Sequence, residues 1–268
     1  MDKKAPNPKT SDKTLALVPA AGAGVRMGTG RAKQFLDLCG SPVLAVTLRR
    51  FQLSPLIHEI VAVVPPGEVE YCREEIVRRF GLDKVKRVVE GGKRRQDSVR
   101  LGLEASGSGY DLVVIHDGVR PLLRAETLER VLKAARKDRA VIAALPARDT
   151  IKEVDADLRV TRTYPRGQVW LVQTPQVFRY EDILAAHREA FREDWDEMTD
   201  DALLVERIGI PVKVVEGAED NIKVTSPQDL ELARFLLARQ QELQNAELGT
   251  RNGEGGIGNA ECGVQHTQ

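Results

Sequence analysis

The sequence has no excess of either charge: forty Lys and Arg are offset by forty Asp and Glu across 268 residues. That balance excludes the broad one-signed field of a general nucleic-acid or membrane-surface binder, so any charge that matters is local. Cysteine is scarce. Cys39, Cys72 and Cys262 are odd in number and far apart, without the paired spacing of a zinc site or a disulfide framework, which points to a reducing cytosol. No apolar run approaches the roughly 18 to 20 residues of a membrane span, and Met1 to Lys13 lacks the apolar segment of a signal peptide. A soluble, cytoplasmic protein is expected. No internal repeat is visible, and the length suits one compact domain of roughly 230 residues with tails.

Between a Lys, Pro and Asp-rich leader (1–13) and a Gln, Asn and Gly-rich tail (241–268), both read as disordered, lies a domain spanning 14–240. Short apolar runs at Leu15 to Val18, Ile57 to Val64, Val85 to Val89, Leu112 to Ile115, Val141 to Leu145 and Val212 to Val215 read as buried strands. The segments 43–53, 68–80, 95–105 and 125–137 between them carry apolar residues at helical spacing. This alternation predicts an α/β fold with a mostly parallel sheet covered on both faces. The rhythm breaks from Asp149 to Arg166, where two β-prone stretches flank Asp155-Ala-Asp157, the pattern of a projecting β-hairpin. After it come a strand near Val169 to Val172, helices near 180–192 and 200–208, and a last helix opened by Ser226-Pro227.

The first strand runs into Pro19-Ala-Ala-Gly22-Ala-Gly24-Val-Arg26-Met27, followed by Lys33. Small residues let backbone N–H groups approach phosphate oxygens while Arg26 and Lys33 supply charge, so the turn reads as a phosphate cradle. It is not a P-loop, because Gly-Lys-Ser/Thr is missing, and not a dinucleotide fingerprint, because Met27 stands where glycine is required. A second anion site is suggested by Gly91-Gly92 and three consecutive cations, Lys93, Arg94 and Arg95, before a helix. His116-Asp117-Gly118-Val119-Arg120-Pro121 closes the fourth strand, where open parallel sheets place ligands.

These residues resemble the 2-C-methyl-D-erythritol 4-phosphate cytidylyltransferases of the non-mevalonate isoprenoid pathway, over nearly all of 14–240. The family's P-A-A-G-x-G-x-R-M, K-Q-[FY], G-G-x-x-R-x-x-S-V and H-D-x-x-R-P motifs are matched by Pro19 to Met27, Lys33 to Phe35, Gly91 to Val99 and His116 to Pro121. Arg148-Asp149-Thr150, Arg166, Thr174 to Phe178, Thr199-Asp200-Asp201 and Asn221 to Thr225 complete the match. The resemblance implies a Rossmann-like sheet of the nucleotide-diphospho-sugar transferase type with a projecting hairpin arm at 149–166. It implies catalytic roles for Arg26, Lys33, Arg166 and Lys223. Pro19, Ala20, Ala21, Gly22, Gly24, Gly92, Ser98 and Gly118 would bind CTP, and Asp117, Arg120, Thr150, Thr174 and Thr199 the methylerythritol phosphate. It further implies a homodimer whose arm, carrying Thr150 and Arg166, reaches the partner's site.

The implied reaction moves CMP from CTP to the acceptor phosphate. That phosphate carries roughly −1.5 to −2 charges at neutral pH and needs no general base; the task is positioning plus charge stabilisation, which suits Arg and Lys. Mg²⁺ is expected, held mainly by the CTP phosphates, with Asp117 the nearest side-chain candidate. Two alternatives are a cytidylyltransferase for ribitol 5-phosphate or a similar pentitol phosphate, and a non-catalytic nucleotide-binding regulator. Arg166, Thr174 and Lys223 together argue against the second.

Overall fold

A computed structural model describes residues 13–22, 32–195 and 198–251, with side chains to 242. In chain order the elements are β1 (Thr14–Pro19), the short β2 (Asp37–Leu38) and β3 (Ser41–Pro42), α1 (Val43–Leu53), β4 (Glu59–Val64), α2 (Val69–Tyr71), β5 (Val85–Glu90), α3 (Arg95–Ser106), β6 (Leu112–Ile115) and α4 (Ala125–Ala135). There follow β7 (Ala140–Pro146), β8 (Lys152–Val154), β9 (Val160–Thr163), β10 (Trp170–Arg179), α5 (Tyr180–Arg192), α6 (Asp201–Arg207), β11 (Val212–Glu216) and α7 (Pro227–Arg251). The helix expected over 68–80 is there, but after α2 it widens into π-helical geometry at Cys72–Arg78.

Among the described residues seven strands form one sheet in the order β11-β7-β10-β6-β1-β4-β5. β1 pairs in parallel with β4 and β6, β4 with β5, and β11 with β7, whereas β10 lies antiparallel between β7 and β6. The mostly parallel sheet is therefore as expected, and the reversed strand has a local cause. No α-helix separates β7 from β10; the chain goes out along the β8–β9 hairpin and returns through one 3₁₀ turn, Arg166–Gln168.

β1 is buried along its whole length, and its side chains alternate between the two faces of the sheet. Ala16 and Val18 face the layer of α1, α2 and α4, packing with Leu44, Leu48, Ile76 and Val131, whereas Leu15 and Leu17 face α3, α5 and α6, packing with Val99, Leu103, Ile183 and Leu204. Both faces are thus covered, which is why these strands read as unbroken apolar runs. α7 opens with a reciprocal cap: Ser226 Oγ accepts from the Asp229 N–H, and the Asp229 carboxylate accepts from Thr225 and Ser226. Leu230, Ala233 and Leu237 then pack on Leu38, Val43 and Val119. α7 continues past residue 240, into the stretch read as tail, because no breaker interrupts residues 228–248.

The order of the strands fixes where a ligand goes. From β1 the chain builds outward through β4 and β5, then jumps back to place β6 on the other flank of β1. Beyond the carboxyl ends of β1 and β6 the connections diverge and leave a crevice.

Candidate active site

Two loops close the floor of that crevice. The Ala20 N–H donates to Val63 O at 2.7 Å, fixing the loop after β1 to β4, and the Gly118 N–H donates to Pro19 O at 2.9 Å, binding the loop after β6 to the end of β1. A Cβ on Gly118 would stand 2.6 Å from Ala20 Cβ, so only glycine permits this approach. Gly118, expected from the sequence to bind the nucleotide, lines neither cavity described below, whereas Val119 beside it lines the first. On the far side Gly91 passes equally close, its would-be Cβ 2.2 Å from that of Ala21. Ser98 Oγ accepts from the Gly92 N–H at 3.1 Å, tying this loop to the N-terminus of α3.

The loops enclose a cavity of about 200 Å³ lined by Pro19, Ala20, Ala21, Gly22, Lys33, Gly92 and Ser98, together with Lys93, Arg94, Arg95, Asp117 and Lys223. Next to it lies a second cavity of about 370 Å³ lined by Arg120, Thr174 and Thr199, and again by Arg95, Asp117 and Lys223. The last three form a wall common to both. Within it Asp117 Oδ2 lies 2.9 Å from Lys223 Nζ and 3.5 Å from Arg120 Nε, and Oδ1 lies 3.3 Å from Arg95 Nε. Arg95 also reaches behind the wall to Asp201, 2.7 Å from Nη2, and Asp201 accepts from His187 Nε2 at 3.1 Å.

Burial opposes ionisation of Asp117, but Arg95, Lys223 and Arg120 outweigh it and hold the carboxyl well below the ordinary carboxylate range. Asp201 is buried too and is likewise held low by Arg95 and His187. For Arg95 burial works against the charge, yet the attraction of Asp201 and Asp117 raises its pKa further above an already high value. Asp117, Asp201 and Arg95 are thus ionised at neutral pH. Its surplus is positive: Lys223, Arg120 and Arg95 face Asp117 and Asp201, with Lys33, Lys93 and Arg94 along the first cavity.

Of the residues singled out from sequence, the two cavities gather Pro19, Ala20, Ala21, Gly22, Lys33, Gly92, Ser98, Asp117, Arg120, Thr174, Thr199 and Lys223. Gly24 and Arg26 lie outside the described residues. Thr150 and Arg166 are not brought to the site of their own chain. Both are exposed at the base of the arm formed by β8 and β9, where Arg166 Nη1 donates to Arg148 O at 3.0 Å. In the arm and the start of β10, Val154, Leu158, Val160, Trp170, Leu171 and Val172 are exposed apolar side chains.

Sequence reasoning missed Arg95 and Asp201. Arg95 was hidden as the third cation of a run, although its register was visible in the G-G-x-x-R motif; Asp201 was hidden behind Asp200, which instead caps α6 by accepting from the Leu203 N–H at 3.1 Å. Asp117 does not suit a metal: both oxygens are taken by cations, and no group of three His, Cys, Asp or Glu able to hold an ion occurs among the described residues.

A sheet of this order, with backbone loops and two cation-rich cavities meeting at its switch point, defines a nucleotidyltransferase. The chain belongs to the 2-C-methyl-D-erythritol 4-phosphate cytidylyltransferase family, whose model matches residues 14–239. Relatives carrying that name include proteins of Geotalea uraniireducens, 49% identical over 84% of this chain and 97% of theirs, and Syntrophus aciditrophicus, 46% identical over 85% and 97%. Solved structures agree. The 4-diphosphocytidyl-2C-methyl-D-erythritol synthase of Anaerococcus prevotii superposes with a TM-score of 0.75 at 32% identity over 85% of this chain and all of that one. The cytidylyltransferase of Thermus thermophilus gives 0.67 at 35% over 85% and 98%.

Proposed function

We propose that this enzyme transfers CMP from CTP to 2-C-methyl-D-erythritol 4-phosphate, releasing pyrophosphate and 4-diphosphocytidyl-2-C-methyl-D-erythritol. The observation that carries the reading is the wall of Arg95, Asp117 and Lys223 shared by two cavities, because joining two phosphates requires two anions to meet across fixed positive charge. In this reading the first cavity takes the nucleotide. Gly92 and Ser98 face the base and ribose, the turn at Pro19 to Gly22 with Arg26 and Lys33 faces the triphosphate, and the second cavity takes the acceptor.

The acceptor phosphate is already a dianion near neutral pH and attacks the α-phosphorus in line with the departing pyrophosphate. Lys223 and Arg120 hold its oxygens, and Lys33 and Arg26 offset the charge that grows on the α-phosphate and leaving group. Asp117 takes no proton; it is the anion around which the cations are set. A divalent ion such as Mg²⁺, carried on the nucleotide's phosphate oxygens and water, would add charge neutralisation. Thr150 and Arg166 act in the site of a twofold partner. No helix among the described residues is long and apolar enough to cross a membrane, and Cys39 and Cys72 are thiols rather than halves of a disulfide, which suits a reducing compartment; we place the enzyme in the cytoplasm.

The test is pyrophosphate release with each of CTP, UTP, ATP and GTP against methylerythritol phosphate, with ribitol 5-phosphate as rival acceptor. CTP is expected to exceed the others by at least about tenfold in kcat/KM, as one mismatched buried polar group costs about 1 to 3 kcal/mol. Equal turnover of CTP and UTP, or preference for the pentitol phosphate, would refute the assignment.

A further inference from the structure

His116 ends β6 beside the site yet touches neither cavity, and nothing in the reaction as derived above uses it. It is wholly buried, with its ring edge-on to Phe51 at 5.3 Å between centroids. Nε2 lies 3.0 Å from the carbonyl oxygen of Arg120, which can only accept, so Nε2 carries a hydrogen. Burial pushes the ring's pKa down to about 4, partly offset by that hydrogen bond, so the imidazole is neutral and Nδ1 presents a lone pair. The group facing that lone pair is the Thr174 hydroxyl, 3.0 Å away. Thr174 must therefore donate its proton to His116, and its oxygen in turn accepts from the backbone N–H of Asp117 at 3.1 Å.

The hydrogen bonds then run in one direction, from the Asp117 N–H through the Thr174 hydroxyl to Nδ1, and from Nε2–H to the Arg120 carbonyl. Their ends are Asp117 and Arg120, two of the residues whose charged side chains stand in the acceptor cavity. Asn221 locks the chain from outside, its Nδ2 donating to Thr174 O at 2.6 Å while its own carbonyl accepts from Arg120 Nη1 at 2.7 Å. β10 yields Thr174 to this use because its pairing with β7 is irregular between Val172 and Gln176, where Pro175 has no N–H to offer the ladder.

We propose that His116 is a positioning residue which, in its neutral Nε2–H form, consumes the Thr174 proton and so makes Thr174 the clamp on Asp117 rather than a donor to the acceptor phosphate. This rests on the nucleotidyl-transfer reading above and revises one part of it: Thr174 lines the acceptor cavity, but one lone pair is all it retains for a substrate. Reaction requires the wall cations to stand within a fraction of an ångström of their productive places, and the clamp sets the carboxylate around which they are arranged.

The test is a double-mutant cycle read as kcat and KM for methylerythritol phosphate, with Thr174→Val and His116→Leu as the single changes. Each is expected to lower kcat/KM by roughly tenfold, with melting temperature followed in parallel, and the double variant to lose no more than the worse single one. Thr174→Ser and His116→Asn, which keep the hydroxyl and an acceptor near Nδ1, should recover most of the loss. Losses that multiply to roughly a hundredfold would show Thr174 acting on substrate independently, and would overturn the proposal. A second measurement does not depend on turnover or on the Leu variant folding: nitrogen-15 NMR of the wild-type protein should report a neutral Nε2–H tautomer for His116 at pH 7. A cationic ring or the Nδ1–H tautomer would overturn it. A wild-type protein that released no pyrophosphate would refute the proposed reaction, and the tautomer would still decide the relay.

Discussion

Lys33 and Arg95 are both cations at the crevice, but their surroundings assign them different work. Lys33 begins a short 3₁₀ turn, Lys33–Phe35, and lines only the first of the two cavities. Lys33→Ala is expected to lower kcat by about 10² to 10³ with little change in melting temperature, as is Arg26→Ala, since each removes a partner of developing charge. A rise in KM for CTP with kcat unchanged would reduce both to binding groups. Arg95 instead joins Asp117 to Asp201, whose side chain is 1% exposed. Arg95→Ala strands a buried carboxylate, and a loss of about 3 to 5 kcal/mol is expected in urea denaturation at pH 7. Arg95→Lys should recover only part of this, because a point charge cannot bridge two carboxylates as a planar fork does. Undiminished stability of the Ala variant would show that His187 suffices for Asp201.

Among the elements, the hairpin stands apart. β8 and β9 are exposed along their whole length, and their turn is held by Asp155 Oδ1 accepting from Asp157 and Arg159. A two-stranded ribbon is at best marginally stable alone, so this one needs a surface to lie on. In a twofold dimer with exchanged arms, each site combines Lys33 of one chain with Arg166 of the other. Arg166→Ala and Lys33→Ala proteins, each nearly inactive, are therefore expected to regain about a quarter of wild-type activity when refolded together in equal amounts, as half the dimers are mixed and each mixed dimer has one intact site. Verified mixed dimers without activity would show that Arg166 works in cis. The arm's existence was legible in the sequence because β-prone residues flank a turn signal in Asp155-Ala-Asp157. The reversed β10 was not, since strand direction depends on which neighbours a strand finds, and those lie far along the chain. The glycine turns and the Ser226-Pro227 helix start were legible for the opposite reason: their geometry is settled within a few residues. The Arg95 to Asp201 contact joins α3 to α6 and exists only once both helices are docked.

At the scale of the whole molecule, acid is the expected weakness. His116 is buried neutral, with its pKa lowered from 6.5 to about 4, so the unfolded chain binds the extra proton across that window. Its contribution is full above about pH 6.5 and is lost as pH falls toward 4, a loss of up to about 3 kcal/mol. Asp117 and Asp201, both held below the carboxylate range, carry the decline further below pH 4. Denaturation free energies at pH 7, 5.5 and 4.5 should fall in that order, and less steeply in His116→Asn; parallel slopes would place the sensitivity elsewhere.

The exposed arm carries a last consequence under the exchanged-arm dimer proposed above, one that concerns time and dilution rather than shape. A catalyst whose pocket is completed by a neighbour does not have a fixed specific activity. Halving the protein in an assay more than halves the rate once the concentration falls near the dissociation constant of the pair, and regain of activity after dilution and reconcentration follows second-order kinetics. In a cell, the flux through such an enzyme rises more steeply than its abundance until pairing is complete.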